Sequence, residues 1–150
     1  MVYAISGFGP RVGSSFVMRQ IKESGIPIVG SAFHRLQPIQ GNPLGYYDLD
    51  DNEVRCFNEG VGKVWPRQLV LLPTMPTKMV TLERRDRESW LASIQRQINL
   101  EKLPISPEQV LEMTEFMLDV WLDTFPGDVM RVYTEDLDHE INNILKFIGE

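Results

Sequence analysis

One guanidinium and two hydroxyls crowd into five positions near the start of the chain: Arg11, Ser14 and Ser15, within Gly7-Phe8-Gly9-Pro10-Arg11-Val12-Gly13-Ser14-Ser15. An apolar, β-prone run from Val2 to Ser6 leads into this stretch, and a helix-like segment from Phe16 to Ser24 follows it. Strand, Gly-rich turn and helix in that order bring orphan N–H groups and the positive end of a helix to one point. The chemistry this suits is the binding of a phosphate or a sulfate. Gly9, Pro10 and Gly13 would shape the cradle. Arg11 adds a planar, permanently charged fork for bidentate contact with an oxyanion, and Ser14 and Ser15 place hydroxyls on the first helical turn.

The spacing differs from the G-x-x-x-x-G-K-[ST] loop of NTPases, because Phe8 stands where the first Gly belongs and Ser14 where the phosphate-gripping Lys belongs. The positive side chain sits inside the loop instead. A second charged cluster, Arg84-Arg85-Asp86-Arg87, lies between a strand-like run, Lys78 to Glu83, and a helical run from Asp86 to about Glu101. At the carboxyl end of a parallel strand it would share one ledge with the Gly7 to Ser15 loop.

The Gly7 to Ser15 stretch resembles the 5′-phosphosulfate loop of the sulfotransferases, in particular bacterial loops of the Pro-Arg-Ser-Gly-Thr-Ser type, with Val12 departing from the usual Ser. Arg85-Asp86-Arg87-Glu88-Ser89-Trp90-Leu91-Ala92-Ser93 resembles that family's 3′-phosphate motif, an Arg ending the strand and a Ser eight residues later on the helix; Arg85 and Ser93 match, and Arg87 replaces a frequent Pro. Asn42-Pro43-Leu44-Gly45-Tyr46-Tyr47-Asp48 resembles an Asn-Pro-x-Gly-Tyr-Tyr-Glu stretch of bacterial relatives. Arg131-Val132-Tyr133-Thr134-Glu135-Asp136-Leu137 and Phe147-Ile148-Gly149 resemble the family's Arg-Tyr-Glu-Asp-Leu and Phe-Leu-Gly segments.

The resemblance implies a three-layer, P-loop NTPase-like fold and transfer of a sulfuryl group from 3′-phosphoadenosine 5′-phosphosulfate (PAPS) to a hydroxyl or amine of a small-molecule or glycan-like acceptor, without a metal. It implies that Gly9, Pro10, Arg11, Gly13, Ser14 and Ser15 hold the 5′ side of PAPS, and Arg85 with Ser93 the 3′-phosphate. Lys63 is an additional cation by resemblance to a Lys before a short helix in bacterial relatives. A general base must lie within hydrogen-bond reach of the acceptor, and His34 and Asp48 are the residues considered for it. Relatives continue past the Phe-Leu-Gly-like segment into a Gly-rich, basic loop that grips the nucleotide; none precedes Glu150, so a reduced or repurposed member is expected. Two other classes stay open. One is a P-loop kinase or NTPase, with Glu83 or Asp86 as the Mg²⁺-binding acid. The other is a non-catalytic nucleotide-binding module.

The elements that must position these groups read as alternating strands and helices. Val2 to Ser6 is a buried strand, Phe16, Val17 and Ile21 the inward stripe of the next helix, Ser24-Gly25 its end, and Ile26 to Val29 a second strand. Gly62 to Trp65 and Lys78 to Glu83 are further strands. Pro66 to Leu72 is a short helix, and Leu91, Ile94 and Ile98 mark the core face of the helix after Arg85. Ser106-Pro107-Glu108-Gln109 is a capped helix start, Pro126-Gly127 its stop, and Leu118, Trp121, Leu122 and Phe125 its apolar face. Val129 to Tyr133 and a helix carrying Ile141, Ile144, Leu145 and Ile148 close the chain. These add up to one α/β domain over residues 1–150, with a mostly parallel sheet of about five strands. From Gly30 to Gly60 no periodicity survives; this irregular stretch is expected to be mobile and to border the acceptor pocket.

Of the 150 residues, 43% are hydrophobic and 24% charged, an ordinary globular balance, and the net charge is −6. That charge excludes general binding to nucleic-acid backbones, so an anionic ligand needs a local basic pocket. The single cysteine, Cys56, excludes an internal disulfide and a cysteine metal cluster and is expected to be a buried, inert thiol. With no leader-like start and no apolar run of about 20 residues, a cytoplasmic protein without membrane contact is expected.

Overall fold

The structure is a computed structural model and describes residues 1–30 and 47–149. His34 and the Asn42 to Tyr46 part of the Asn-Pro-x-Gly-Tyr-Tyr-like stretch lie outside these residues. In chain order the elements are β1 (Val2–Gly7), α1 (Ser14–Glu23), α2 (Asp51–Arg55), β2 (Gly60–Lys63), a 3-10 helix (Pro66–Leu71), β3 (Lys78–Glu83), α3 (Arg87–Glu101), α4 (Pro107–Asp123), β4 (Asp128–Tyr133), a 3-10 turn (Thr134–Asp136) and α5 (Leu137–Gly149).

The sheet runs β2-β1-β3-β4 with every pair parallel. Parallel strands need crossovers and cover on both faces, and the central ones accordingly carry almost unbroken apolar runs. Val2, Ala4 and Ile5 of β1 and Met79, Val80 and Leu82 of β3 are all buried. α1 packs with α5, whereas α3 packs with α4 and α4 with the Pro66–Leu71 helix, which gives helices on both sides of the sheet. α1 turns Val17, Met18 and Ile21 inward, and α5 turns in Ile144 and Ile148.

Local signals set the helix ends. Asp50 caps α2 and Ser106 caps α4, each in a reciprocal capping box with the residue three positions on, Glu53 and Gln109. Asp86 caps α3 through Ser89 N–H at 3.1 Å. Gly25, at φ 91°, follows the last turn of α1 and donates its N–H to Lys22 O.

Three expectations are corrected. The sheet has four strands among the described residues, not about five, because Ile26 to Val29 meets the sheet at one bridge, Ile28 to Val61. Pro27 has no N–H to extend a ladder, so contact with β2 stops at its carbonyl and the Val29 N–H. The stretch from Gly30 to Gly60 is not wholly irregular, since its described part contains α2. Cys56 is exposed rather than buried: α2 ends on it, and Val54 and Phe57 take the inward positions on either side.

Candidate functional site

The loop from Gly7 to Gly13 follows β1 at the carboxyl end of the sheet, where the chain goes on to β2 on one side of β1 and returns to β3 on the other. Crevices of parallel sheets form at such places. Phe8 N–H extends the β1–β3 ladder by donating to Leu82 O at 2.8 Å. The chain then turns through Arg11, whose φ of 62° is rare for a residue with a side chain. Holding it there costs on the order of 1–3 kcal/mol, so its surroundings must fix it. Three contacts do so. Trp90 Nε1 of α3 donates to Pro10 O at 2.7 Å, Arg84 Nη1 donates to Arg11 O at 3.4 Å, and Thr134 Oγ1 donates to Val12 O at 2.7 Å.

Two glycines are set by contact. A Cβ on Gly9 would stand 2.6 Å from Leu111 Cδ1 and 2.7 Å from Trp90 Cζ2, so α3 and α4 press directly on the loop backbone. Gly13, the residue before α1, sits at φ 85°, where a side chain is strained, and a Cβ there would meet Leu137 Cδ1 at 2.7 Å. The first turn of α1 also contains no acid, so nothing in the helix offsets its positive end.

Most of the site residues named from sequence fall into two groups on this loop. In the first, Lys63 ends β2, is almost fully buried at 4% exposure, and holds Asp48 Oδ1 at 2.7 Å while donating to Ser15 Oγ at 3.3 Å. Burial pushes the Lys63 ammonium below the ordinary lysine range; Asp48, by charge and hydrogen bond, pulls it partly back, and the positive charge of Arg11 pushes it further down. In the second group, Arg11 Nε approaches Ser93 Oγ at 3.5 Å; Ser93 is buried on the second turn of α3. Arg11 belongs to both groups, since its charge is felt at Lys63.

Arg85 is placed differently. Its guanidinium turns toward the 3-10 turn, pairing with Asp136 Oδ2 at its end at 2.7 Å and lying over the ring of Tyr133, the residue before it, at 4.4 Å from the centroid. Its backbone is held too: Glu135 accepts the N–H groups of Arg85 and Asp86, each at 2.8 Å. Burial raises the Glu135 carboxyl, but those N–H donors and the Arg85 charge outweigh it and leave the group below the usual glutamate value. Of the acids considered as Mg²⁺ ligands, Glu83 faces Arg131 at 3.4 Å and Asp86 caps α3.

Sequence reasoning missed Trp90, Thr134, Glu135 and Arg84. Trp90 carried a usable signal, because a buried indole N–H needs an acceptor and a loop carbonyl was the nearest kind on offer. Thr134 and Glu135 lie in a segment noted only for its resemblance, and nothing in their types marks them as braces. Arg84 differs from Arg85 by one position, and only the course of the chain after β3 tells them apart.

No family model matches the sequence, and no curated protein matches it. Among solved structures, an uncharacterized protein from Eubacterium ventriosum is similar at a TM-score of 0.42 and 16% identity, over 99% of this chain and 98% of that one. A likeness of that extent leaves the chemistry to be argued from the residues themselves.

Proposed function

We propose that this protein binds the phosphosulfate nucleotide PAPS on the Gly7 to Ser15 loop and transfers its sulfuryl group to a hydroxyl or amine. The observation that carries the reading is the convergence of Lys63, Ser15 and Arg11 on the loop at the N-terminus of α1. Sulfuryl transfer asks a protein for alignment of acceptor and leaving group and for cations on the charge that develops. Arg11 and the loop N–H groups hold the leaving 5′-phosphate, with Ser14 and Ser15 at its edge. Lys63, kept in place by Asp48, supplies a cation from the β2 side. Ser93 stands toward the 3′ side, and the acceptor is a small molecule or glycan-like compound.

Nothing favours the kinase reading to the same degree, because Glu83 and Asp86 already serve Arg131 and the α3 cap. Isothermal titration with adenosine 3′,5′-bisphosphate, ATP and ATP with Mg²⁺ tests the choice. Binding of the bisphosphate without Mg²⁺ is expected. Mg²⁺-dependent binding of ATP alone would replace the reading with a kinase or NTPase, and binding of none of the three would leave a domain without a nucleotide ligand.

A further inference from the structure

We infer that Arg84 and Ser89, together with Arg11 and Ser93, form a second oxyanion subsite beside the loop, and that Arg84 rather than Arg85 holds the second phosphate of a doubly phosphorylated nucleoside. The inference rests on the nucleotide reading above and names the residue that reads the far end of the ligand.

The two arginines after β3 have divided the work. Arg85 is a brace: its charge is met by Asp136, its face lies on Tyr133, its side chain is 56% exposed, and its N–H is held by Glu135. Withdrawing it to bind a ligand would break an ion pair and uncover Asp136. Arg84 is half-buried and turned the other way, toward the loop, where Nη2 donates to Ser89 Oγ at 2.7 Å and Nη1 to Arg11 O at 3.4 Å. Among the described residues neither Arg84 nor Arg11 forms an ion pair, whereas Arg85, Arg87 and Arg131 each do.

Two guanidiniums with no carboxylate partner among the described residues, one carried by the loop and one hydrogen-bonded to its backbone, offer an anion two positive charges in a chain of net charge −6. The hydroxyls fit the same guest. Ser89 Oγ accepts from Arg84, and Ser93 Oγ accepts from Arg11, so each serine keeps its own O–H to donate. Trp90 lies between the two serines and ties α3 to Pro10, which keeps the helix face and the loop at one spacing. A phosphate taken here meets a bidentate fork and hydroxyl donors, a combination suited to a dianion.

The test is calorimetric titration of the full chain and its variants with adenosine 3′,5′-bisphosphate and adenosine 5′-monophosphate. Arg84→Ala is expected to weaken the bisphosphate about ten- to a hundredfold and the monophosphate less than about threefold. Ser89→Ala should follow in the same direction with a smaller loss, and Arg85→Ala should leave both affinities within about threefold. Arg84→Lys keeps the charge, loses the fork, and decides the matter if Arg84→Ala does not fold: several-fold weaker binding of the bisphosphate alone is expected. Unchanged bisphosphate affinity in the Arg84 variants, or a selective loss in Arg85→Ala, overturns the assignment while leaving the nucleotide reading intact. A wild-type chain that binds neither nucleotide overturns both.

Discussion

Lys63 at the end of β2 and Ser15 on the first turn of α1 stand 48 positions apart in the chain, and the lysine ammonium reaches the serine hydroxyl at 3.3 Å. The parallel register that sets Ile5 beside Lys63 makes this meeting possible, because it brings the end of β2 level with the strand that feeds the loop. A buried ammonium costs several kcal/mol in desolvation unless paired, and Asp48 supplies the partner at 2.7 Å.

That pair predicts an alkaline signature. Burial depresses the folded-state pKa of Lys63 below its ordinary value of 10.5, so the unfolded chain binds more protons in the window between the two. Folding stability contributed by this group therefore rises as pH climbs through the window and falls again as pH drops through the folded pKa. Urea titrations should show the stability of the wild type gaining on that of Lys63→Met as pH is raised toward 10.5. A difference that stays constant with pH would mean that Lys63 is not held in a desolvated setting.

Glu135 predicts the opposite end of the pH scale. Its folded-state pKa is depressed below 4.5, so its contribution is fully present above that value and disappears as pH falls through the folded pKa. Glu135→Gln should already be less stable than wild type near neutrality, and the two should converge in acid. Acid titrations followed by circular dichroism check this; equal stability of the two proteins at neutral pH would remove Glu135 as the brace of the β3–α3 turn.

Ser6 and Thr81 face each other in register on β1 and β3, both are buried, and neither side-chain oxygen has a hydrogen-bond partner among the described residues. An unsatisfied buried hydroxyl costs about 1–3 kcal/mol, and an apolar group of the same shape avoids that cost. Thr81→Val is expected to stabilise the protein by about 1 kcal/mol, seen as a higher urea midpoint at unchanged slope. A loss of stability would mean that the hydroxyl has a partner in solution.

Gly9 predicts a packing defect that can be rescued. A methyl group at this position meets Leu111 and Trp90 well inside contact distance, so Gly9→Ala should destabilise by about 1–3 kcal/mol. Adding Leu111→Ala makes room on one side, and the double variant should be more stable than the sum of the single losses allows. Strict additivity in thermal or urea unfolding would show that the loop does not press on α4.

Strand and helix identity was largely legible because the chain states it locally. Lys78 to Glu83 is an apolar run closed by charge, and Ser106 with Gln109 writes a capping box that the fold uses unchanged. Ile26 to Val29 misled, since its apolar content is that of a strand but Pro27 removes the donor that pairing requires. Within the site, Arg11 and Ser15 were read from their types in the Gly-rich turn, Lys63 and Ser93 from the resemblance, and Asp48 as a candidate base in the irregular stretch; the fold sets Lys63 against Asp48 and Ser15, and Arg11 beside Ser93. The direction of Arg84 and Arg85 was not readable, because two like residues beyond the end of β3 follow no alternation that fixes which one turns to the Gly7 to Gly13 loop. Asp136 decides it from a different part of the chain.

On the proposed reading, the loop after β1 binds a nucleotide phosphate. Titrating adenosine 3′,5′-bisphosphate into ¹⁵N-labelled protein and following backbone amide shifts measures this directly. Saturable shifts are expected, concentrated on Arg11 to Ser15, extending to Lys63 and to Arg84 through Ser93, and weakened for the whole set in Arg11→Ala. Saturable shifts confined to other parts of the fold, with the amides of Arg11 to Ser15 unmoved, would contradict it.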